Sequence, residues 1–375
     1  MAFKKKSASR KKLFRFIVLA AVVGGGYFLY EMVKLPTFPE RKPVTNVVWL
    51  NQGWSRELAD DLHHRAQGTL LLPFAWLREM NAGPLTSKKL GDPEILGGLG
   101  FIPDAKNGSN AEGLPIGLTV SSWAQPGVPG APELRKVGLT CAGCHTGMLT
   151  YNGTGILIEG GGSMIDAGTM QEIIGKAVGA TAYLPWLRSA FVDTIVSKYG
   201  ERREVVEAML SAAGRNVIAA FRASPPLAPL YEAELHGRLD ALQRIANTLL
   251  ADDLREPENN KHGDGPVKFP YLWDIWRLDW VQYNASVRQP MMRNIGEALG
   301  VRAETAFLDP DGYTNPAPTR WETSVNIENL KWIEETLRQL QPPEWPPEIF
   351  DKGRNASEIN NLRSTGGALF REDRK

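Results

Sequence analysis

The sequence predicts a mainly α fold with long ordered loops, a small β-hairpin and an N-terminal membrane helix. Three observations predict it. Apolar residues recur at helical spacing from Asp166 to about Leu250 and again from Ile327 to Leu340. Between Gly83 and Gly138 the density of Gly and Pro excludes long helices. A basic run at the start of the chain leads directly into an uncharged apolar stretch.

The basic run comprises Lys4, Lys5, Lys6, Arg10, Lys11, Lys12 and Arg15, and the apolar stretch runs from Phe16 to Tyr30. Positive charge before an apolar run reads as a signal anchor with its basic end in the cytoplasm. Residues 1–34 are therefore expected to hold the chain in the cytoplasmic membrane, single-pass, with the body in the periplasm. Gly24, Gly25 and Gly26 are followed by further apolar residues, so the reading favours an uncleaved anchor over a cleaved signal. Removing those seven positive charges turns the formal +1 of the whole chain into −6 for the remainder. A mildly acidic exported body excludes nucleic-acid binding, which needs a basic face.

Residues 35–54 read as an extended lead. Ser55 is placed to cap a helix with Leu58, Leu62 and Ala66 on one face, ended by Gly68, and a second helical piece fits 71–81. Met148 to Tyr151 and Ile156 to Ile158 flank Asn152 and Gly153, a hairpin signal. Pro185, Gly200 and the pair Pro225 and Pro226 divide the helical region that follows. Trp273, Trp276 and Trp280 share a helical spacing and read as core. The glycines 160, 161 and 162 lack the spacing of a phosphate-binding loop, and a tight turn is the better account.

The chain has two cysteines, and they fall in one pentapeptide: Cys141, Ala142, Gly143, Cys144 and His145. C-x-x-C-H is the attachment signature of haem c, in which two thiols add to the vinyl groups and the adjacent imidazole binds iron. Two cysteines and five histidines would fall into this order by chance roughly once in 10⁴ shuffled chains. A redox dithiol would want a βαβ setting, and a zinc site would want a second pair of ligands, so haem c is the stronger reading. The sixth iron ligand stays open. His63, His64, His236 and His262 read as ordinary histidines, and Met148, Met164, Met170, Met291 and Met292 as packing residues.

With these residues in hand, the chain resembles the rubber-oxygenase-like di-haem cytochromes c, relatives of the bacterial di-haem cytochrome c peroxidases. The resemblance covers about residues 60–375. It rests on four segments: Gln67 to Trp76, Gly113 to Gly117, Gly138 to Asp166 and Lys268 to Ser286. It implies a cytochrome c-type haem domain over 35–340 and, over 341–375, a Pro-rich linker and the start of a second cytochrome domain, truncated before its haem motif. Gly366, Gly367, Ala368, Leu369 and Phe370 look like the approach to that second motif. Where the peroxidases often carry a histidine, this chain has Val281, Gln282, Tyr283, Asn284, Ala285 and Ser286, leaving Tyr283 or an open iron position. The expected function is an exported oxidoreductase of the peroxidase or oxygenase type, served by a redox partner protein. The alternatives are a mono-haem electron carrier and a non-catalytic remnant of a di-haem enzyme.

Overall fold

The computed structural model describes residues 34–40, 43–124, 133–223, 234–282, 284–288, 290–309 and 311–372. Its elements come in an order that mixes short strands and helices rather than the mainly α arrangement expected: 45% of the described residues are helical and 15% are strand. Strands β1 (Asn46–Trp49), β2 (Leu72–Pro73), β3 (Leu118–Trp123), β4 (Leu134–Leu139), β5 (Thr146–Tyr151) and β6 (Thr154–Glu159) form two three-stranded sheets, ordered β1-β6-β5 and β2-β4-β3. Two two-residue pairs follow, β7 (Arg238–Leu239) with β8 (Val267–Lys268) and β9 (Trp280–Val281) with β10 (Val287–Arg288).

A Gly- and Pro-rich stretch announces that long helices are absent and leaves room for short extended pieces, but which of them form strands depends on partners. β3 and β4 find each other across about ten residues, whereas the partners of β1 and β2 are far away in sequence. β1 pairs in parallel with β6, Asn46 opposite Thr154 and Trp49 opposite Leu157, across a hundred residues. β4 lies between β3 and β2. The hairpin β5–β6 is local, and there Asn152 (φ 47°) and Gly153 (φ 77°) take the left-handed pair of conformations that a two-residue turn demands.

The helices are α1 (Arg56–His64), α2 (Phe74–Glu79), α3 (Pro93–Gly98), α4 (Cys141–His145), α5 (Ala167–Tyr183), α6 (Pro185–Tyr199), α7 (Arg203–Ala223), α8 (Ala241–Asn247), α9 (Met291–Gly300), α10 (Ile327–Leu337), α11 (Pro347–Phe350) and α12 (Ala356–Glu372). Ser55 caps α1 by accepting from the Leu58 amide, and Asp166 caps α5 by accepting from Thr169. Pro185 opens α6, and Gly200 closes it in a left-handed conformation (φ 71°). A π-turn, Thr248–Asp253, continues directly from α8.

The predicted membrane helix finds no support: no helix among the described residues is long and apolar enough to cross a membrane, and the stretch 16–30 lies outside them. The tryptophan segment also differs from expectation. Its residues form a single 3-10 turn, Ile275–Arg277, and Trp276 and Trp280 are exposed rather than core. Asp274 takes a left-handed conformation (φ 58°) that interrupts helix, and the Leu272 amide is committed to the Gly160 carbonyl (2.8 Å).

Two apolar cores flank the motif. One gathers Phe74, Trp76, Met80, Phe101, Ile173, Val192 and Leu210; the other gathers Leu62, Ala298, Leu330, Ile333 and Leu337. Cys144 packs against the first and Cys141 against the second, so α4 lies on the seam between them.

Candidate haem-binding site

Helix α4 is one turn long, too short to hold its place through its own hydrogen bonds. Its neighbours fix it instead. Thr140, just before Cys141, donates through Oγ1 to the His63 carbonyl (2.8 Å) and through its amide to the Gly117 carbonyl (2.9 Å). The Ser163 amide donates to the Cys144 carbonyl (2.9 Å). Gly117 (φ +95°) lets two backbones touch: a Cβ there would stand 2.3 Å from the Gly143 Cα. The Gly-Leu-Pro-Ile-Gly segment is thus the floor on which the motif rests.

Both cysteines are free thiols, and Cys141 Sγ donates to Gln67 Oε1 (3.1 Å). Burial, with the Glu297 carboxylate as the next cause, pushes each thiol up to about 12. A redox dithiol works through a thiolate of lowered pKa, so these two are set against that chemistry. His145 goes the other way: burial first lowers it to about 4, so its imidazole is neutral at physiological pH. Its Nδ1 stands 2.8 Å from the Pro270 carbonyl oxygen. A carbonyl only accepts, so Nδ1 carries the hydrogen and Nε2 keeps its lone pair. Phe269 meets the ring edge-on at 6.4 Å.

Glu297, on α9, joins this group. Burial first, and the nearby Glu334 next among the raising causes, hold its carboxyl above the ordinary range against the opposing pull of Arg293. Gln282 donates to its Oε1 (3.4 Å). Arg293 lies one turn back on the same helix and is bonded to Asn294 and Glu334. Cys141, Cys144, His145 and Glu297 each retain some accessible surface, while burial is the leading cause of every shift. Glu297 is close enough to both thiols for its charge to raise each of them.

The segment carrying Pro270 is held against the glycine run. Gly162 approaches the Phe269 carbonyl so closely that a Cβ would stand 2.7 Å from it, and Gly160 supports Leu272. The run is a turn, as its spacing implied, and its use is to bring Pro270 to His145. Pro270, Glu297 and Gln282 carry no signature of their own in sequence. Gln67 and Pro270 lie within segments that stand out as landmarks, yet their part in the site comes from contacts across 74 and 125 residues.

The histidines of α1 correct an expectation. A mid-helix pair should turn one ring toward solvent, but both are buried, His63 at 0% and His64 at 5% exposure. Each faces a carboxylate. His63 Nε2 lies 3.0 Å from both oxygens of Glu159, and His64 Nε2 lies 2.9 Å from Asp104 Oδ2. His236 Nε2 donates to the Gly98 carbonyl (3.1 Å). Met170 is core, Met164 and Met292 are exposed, and Met291 packs in the same cluster as Cys141. Tyr283 lies outside the described residues. Among the described residues no group of three or more His, Cys, Asp or Glu is arranged to hold a metal ion. A shallow hollow of about 610 Å³ lined by Phe74, Arg78, Glu79, Glu112 and Arg135 contains no residue of the motif, and its arginines are already bonded to Glu112.

No protein-family profile matches the chain, and no solved structure matches it. It is similar to the uncharacterized protein y4iJ of Sinorhizobium fredii, with 34% identity over 404 residues. That similarity takes in 99% of this chain, which spans 63% of the relative's length.

Proposed function

We propose that Cys141 and Cys144 bind one haem c covalently, that His145 ligates its iron through Nε2, and that the protein is an exported oxidoreductase related to the rubber-oxygenase-like di-haem cytochromes. The observation that carries this reading is the His145–Pro270 hydrogen bond (2.8 Å). A metal-binding histidine characteristically donates its other ring nitrogen to a carbonyl or carboxylate, which fixes tautomer and ring orientation together. Here the tautomer and the low pKa of about 4 both leave Nε2 free to ligate. The donor set fits the group: two protonated thiols on one helical turn, each able to add S–H across a vinyl double bond, with sulfur joining one carbon and hydrogen the other.

The bound haem would supply a redox-active iron. Glu297 would supply a proton beside it. Gln282 donates to its Oε1, leaving Oε2 to exchange a proton, and burial holds this carboxyl above the usual carboxylate range. A group poised to give and take protons serves bond chemistry on peroxide or dioxygen, whereas a simple electron carrier has no use for it. This favours the oxidoreductase over the carrier. A redox partner protein would deliver the electrons. Export would be directed by the basic and apolar leader and would bring the body to the periplasm, where bacterial haem c is attached.

Optical and electron paramagnetic resonance spectra of the haem-loaded protein test the reading. A high-spin component that changes on adding hydrogen peroxide is expected. A purely low-spin spectrum untouched by peroxide would replace the oxidoreductase with the electron carrier.

A further inference from the structure

Behind α4 lies a buried chain of ionisable groups that the proposed haem site does not use. Glu159 Oε2 accepts from Thr146 Oγ1 (3.3 Å), and Thr146 is the residue immediately after His145. The same carboxylate faces His63 Nε2 at 3.0 Å through each oxygen. On the other side of the ring, His63 Nδ1 points toward Asp104 Oδ2 at 4.0 Å. Asp104 in turn meets His64 Nε2 (2.9 Å), and His64 Nδ1 donates to the Leu118 carbonyl (2.7 Å). Asp104 is the most exposed of the four side chains, at 10%, and so forms the outlet toward solvent. The His63 carbonyl accepts from Thr140, which ties the cluster to the first residue of the α4 cap as Thr146 ties it to the last.

Counting protons around these rings leaves a single vacancy. His64 Nδ1 must carry a hydrogen for the Leu118 carbonyl, and one further proton is shared between its Nε2 and Asp104. His63 Nε2 donates to Glu159. That leaves His63 Nδ1, on a side chain 0% exposed, with no hydrogen-bond partner. A buried polar atom left unsatisfied costs free energy, and with that position empty the four groups together bear one negative charge. A proton placed on Nδ1 would be aimed at Asp104 and would bring the cluster to neutrality. Burial alone would raise Asp104, but the His64 hydrogen bond, the Ala105 amide and both imidazoles outweigh it and keep its carboxyl below the ordinary value, as an anion that can pair with a proton held on Nδ1. The other groups facing His63 are the Trp49 ring at 5.7 Å, covered by the Arg56 guanidinium, and the neighbouring His64 ring at 6.2 Å.

We infer that this cluster is a redox-linked proton site: for each electron delivered to the haem, His63 Nδ1 takes up one proton from solvent by way of Asp104. The inference rests on the proposed haem c. The ferric iron–porphyrin core, leaving aside its propionates, would carry one positive charge that offsets the charge of the cluster behind it. An electron from a one-electron donor protein removes that compensation, and the proton entering at Nδ1 restores it. On reoxidation the electron leaves and the proton returns through Asp104, so charge balances in both directions.

Spectroelectrochemical titration of the purified haem-loaded protein between about pH 5 and 8, the range in which histidines ordinarily change charge, tests this. Uptake of one proton per electron converts a tenfold change in proton activity into about 59 mV. The expected result is a midpoint potential falling toward that slope in the wild type and flattening in both His63→Gln and Glu159→Gln. Covalent haem content and thermal melting, measured on the same samples, separate folding and loading from coupling. Absence of haem would remove the cytochrome reading itself. Haem present with a pH-independent potential, or with an unchanged slope in a folded, loaded His63→Gln protein, overturns the proton site while leaving the cytochrome intact.

Discussion

At the scale of the residue, the account assigns different work to neighbours that look alike. Cys141 and Cys144 sit three apart on one turn, yet one packs against the core built on α9 and α10 and the other against the core built on α2, α5 and α6. Each sulfur therefore has a fixed direction before any haem arrives. Changing either cysteine alone to serine should leave haem attached through one thioether, with the reduced pyridine adduct absorbing at longer wavelength than the wild type. The double variant should lose haem on acid extraction. Retention of haem by the double variant after extraction would contradict the assignment.

The residues that carry the site were unequally legible. The pentapeptide declares itself because its chemistry demands that spacing. Pro270 does not, because what it contributes is a backbone carbonyl, and any residue has one. The burial of His63 and His64 is hidden for a related reason: it depends on Asp104 and Glu159, which reach them across 40 and 96 residues.

Among the elements, several local signals hold, although the helix expected to run to Gly68 stops at His64 and the helical spacing through Leu239 gives way to a short strand before Ala241. Ser55 at the start of α1, Gly200 at the end of α6 and the Asn152-Gly153 turn each act within a few residues, and each appears where its chemistry places it. Pairings such as β1 with β6 leave no such trace, and neither does the interruption of the tryptophan segment by Asp274. One floor element has a sharp test. Gly117→Ala puts a Cβ into the Gly143 backbone at a left-handed position, so it should destabilise the fold by roughly 2–3 kcal/mol and lower covalent haem yield. Urea denaturation that leaves the midpoint unchanged would mean that α4 does not rest on this glycine.

The π-turn after α8 offers a pH test at the same scale. Burial first raises Asp253 from 3.8 to about 6, against the lowering effect of the Thr305 hydrogen bond (3.3 Å) and the Arg302 charge. A raised carboxyl favours the protonated folded state. Its contribution is therefore fully present below the unfolded pKa and is lost as pH rises through about 6. Asp253→Asn, which stays neutral, should gain stability over the wild type progressively between about pH 4 and 6 and hold that gain above. Denaturation midpoints that run parallel at pH 3.5 and pH 7 would contradict it.

For the whole molecule, the mainly α expectation failed because composition reports what a segment avoids and says little about what it pairs with. The two cores, the two three-stranded sheets and the seam between them are long-range outcomes. They matter to function because Cys141 and Cys144 sit where the two cores meet, with Glu297 near enough to act on both thiols. Mass spectrometry of the chain, expressed in cells that mature c-type cytochromes and then denatured, tests the central claim most directly. The account predicts one added haem, localised by proteolysis to the peptide containing Cys141 and Cys144. An unmodified polypeptide mass, in cells that load a control cytochrome, would contradict it.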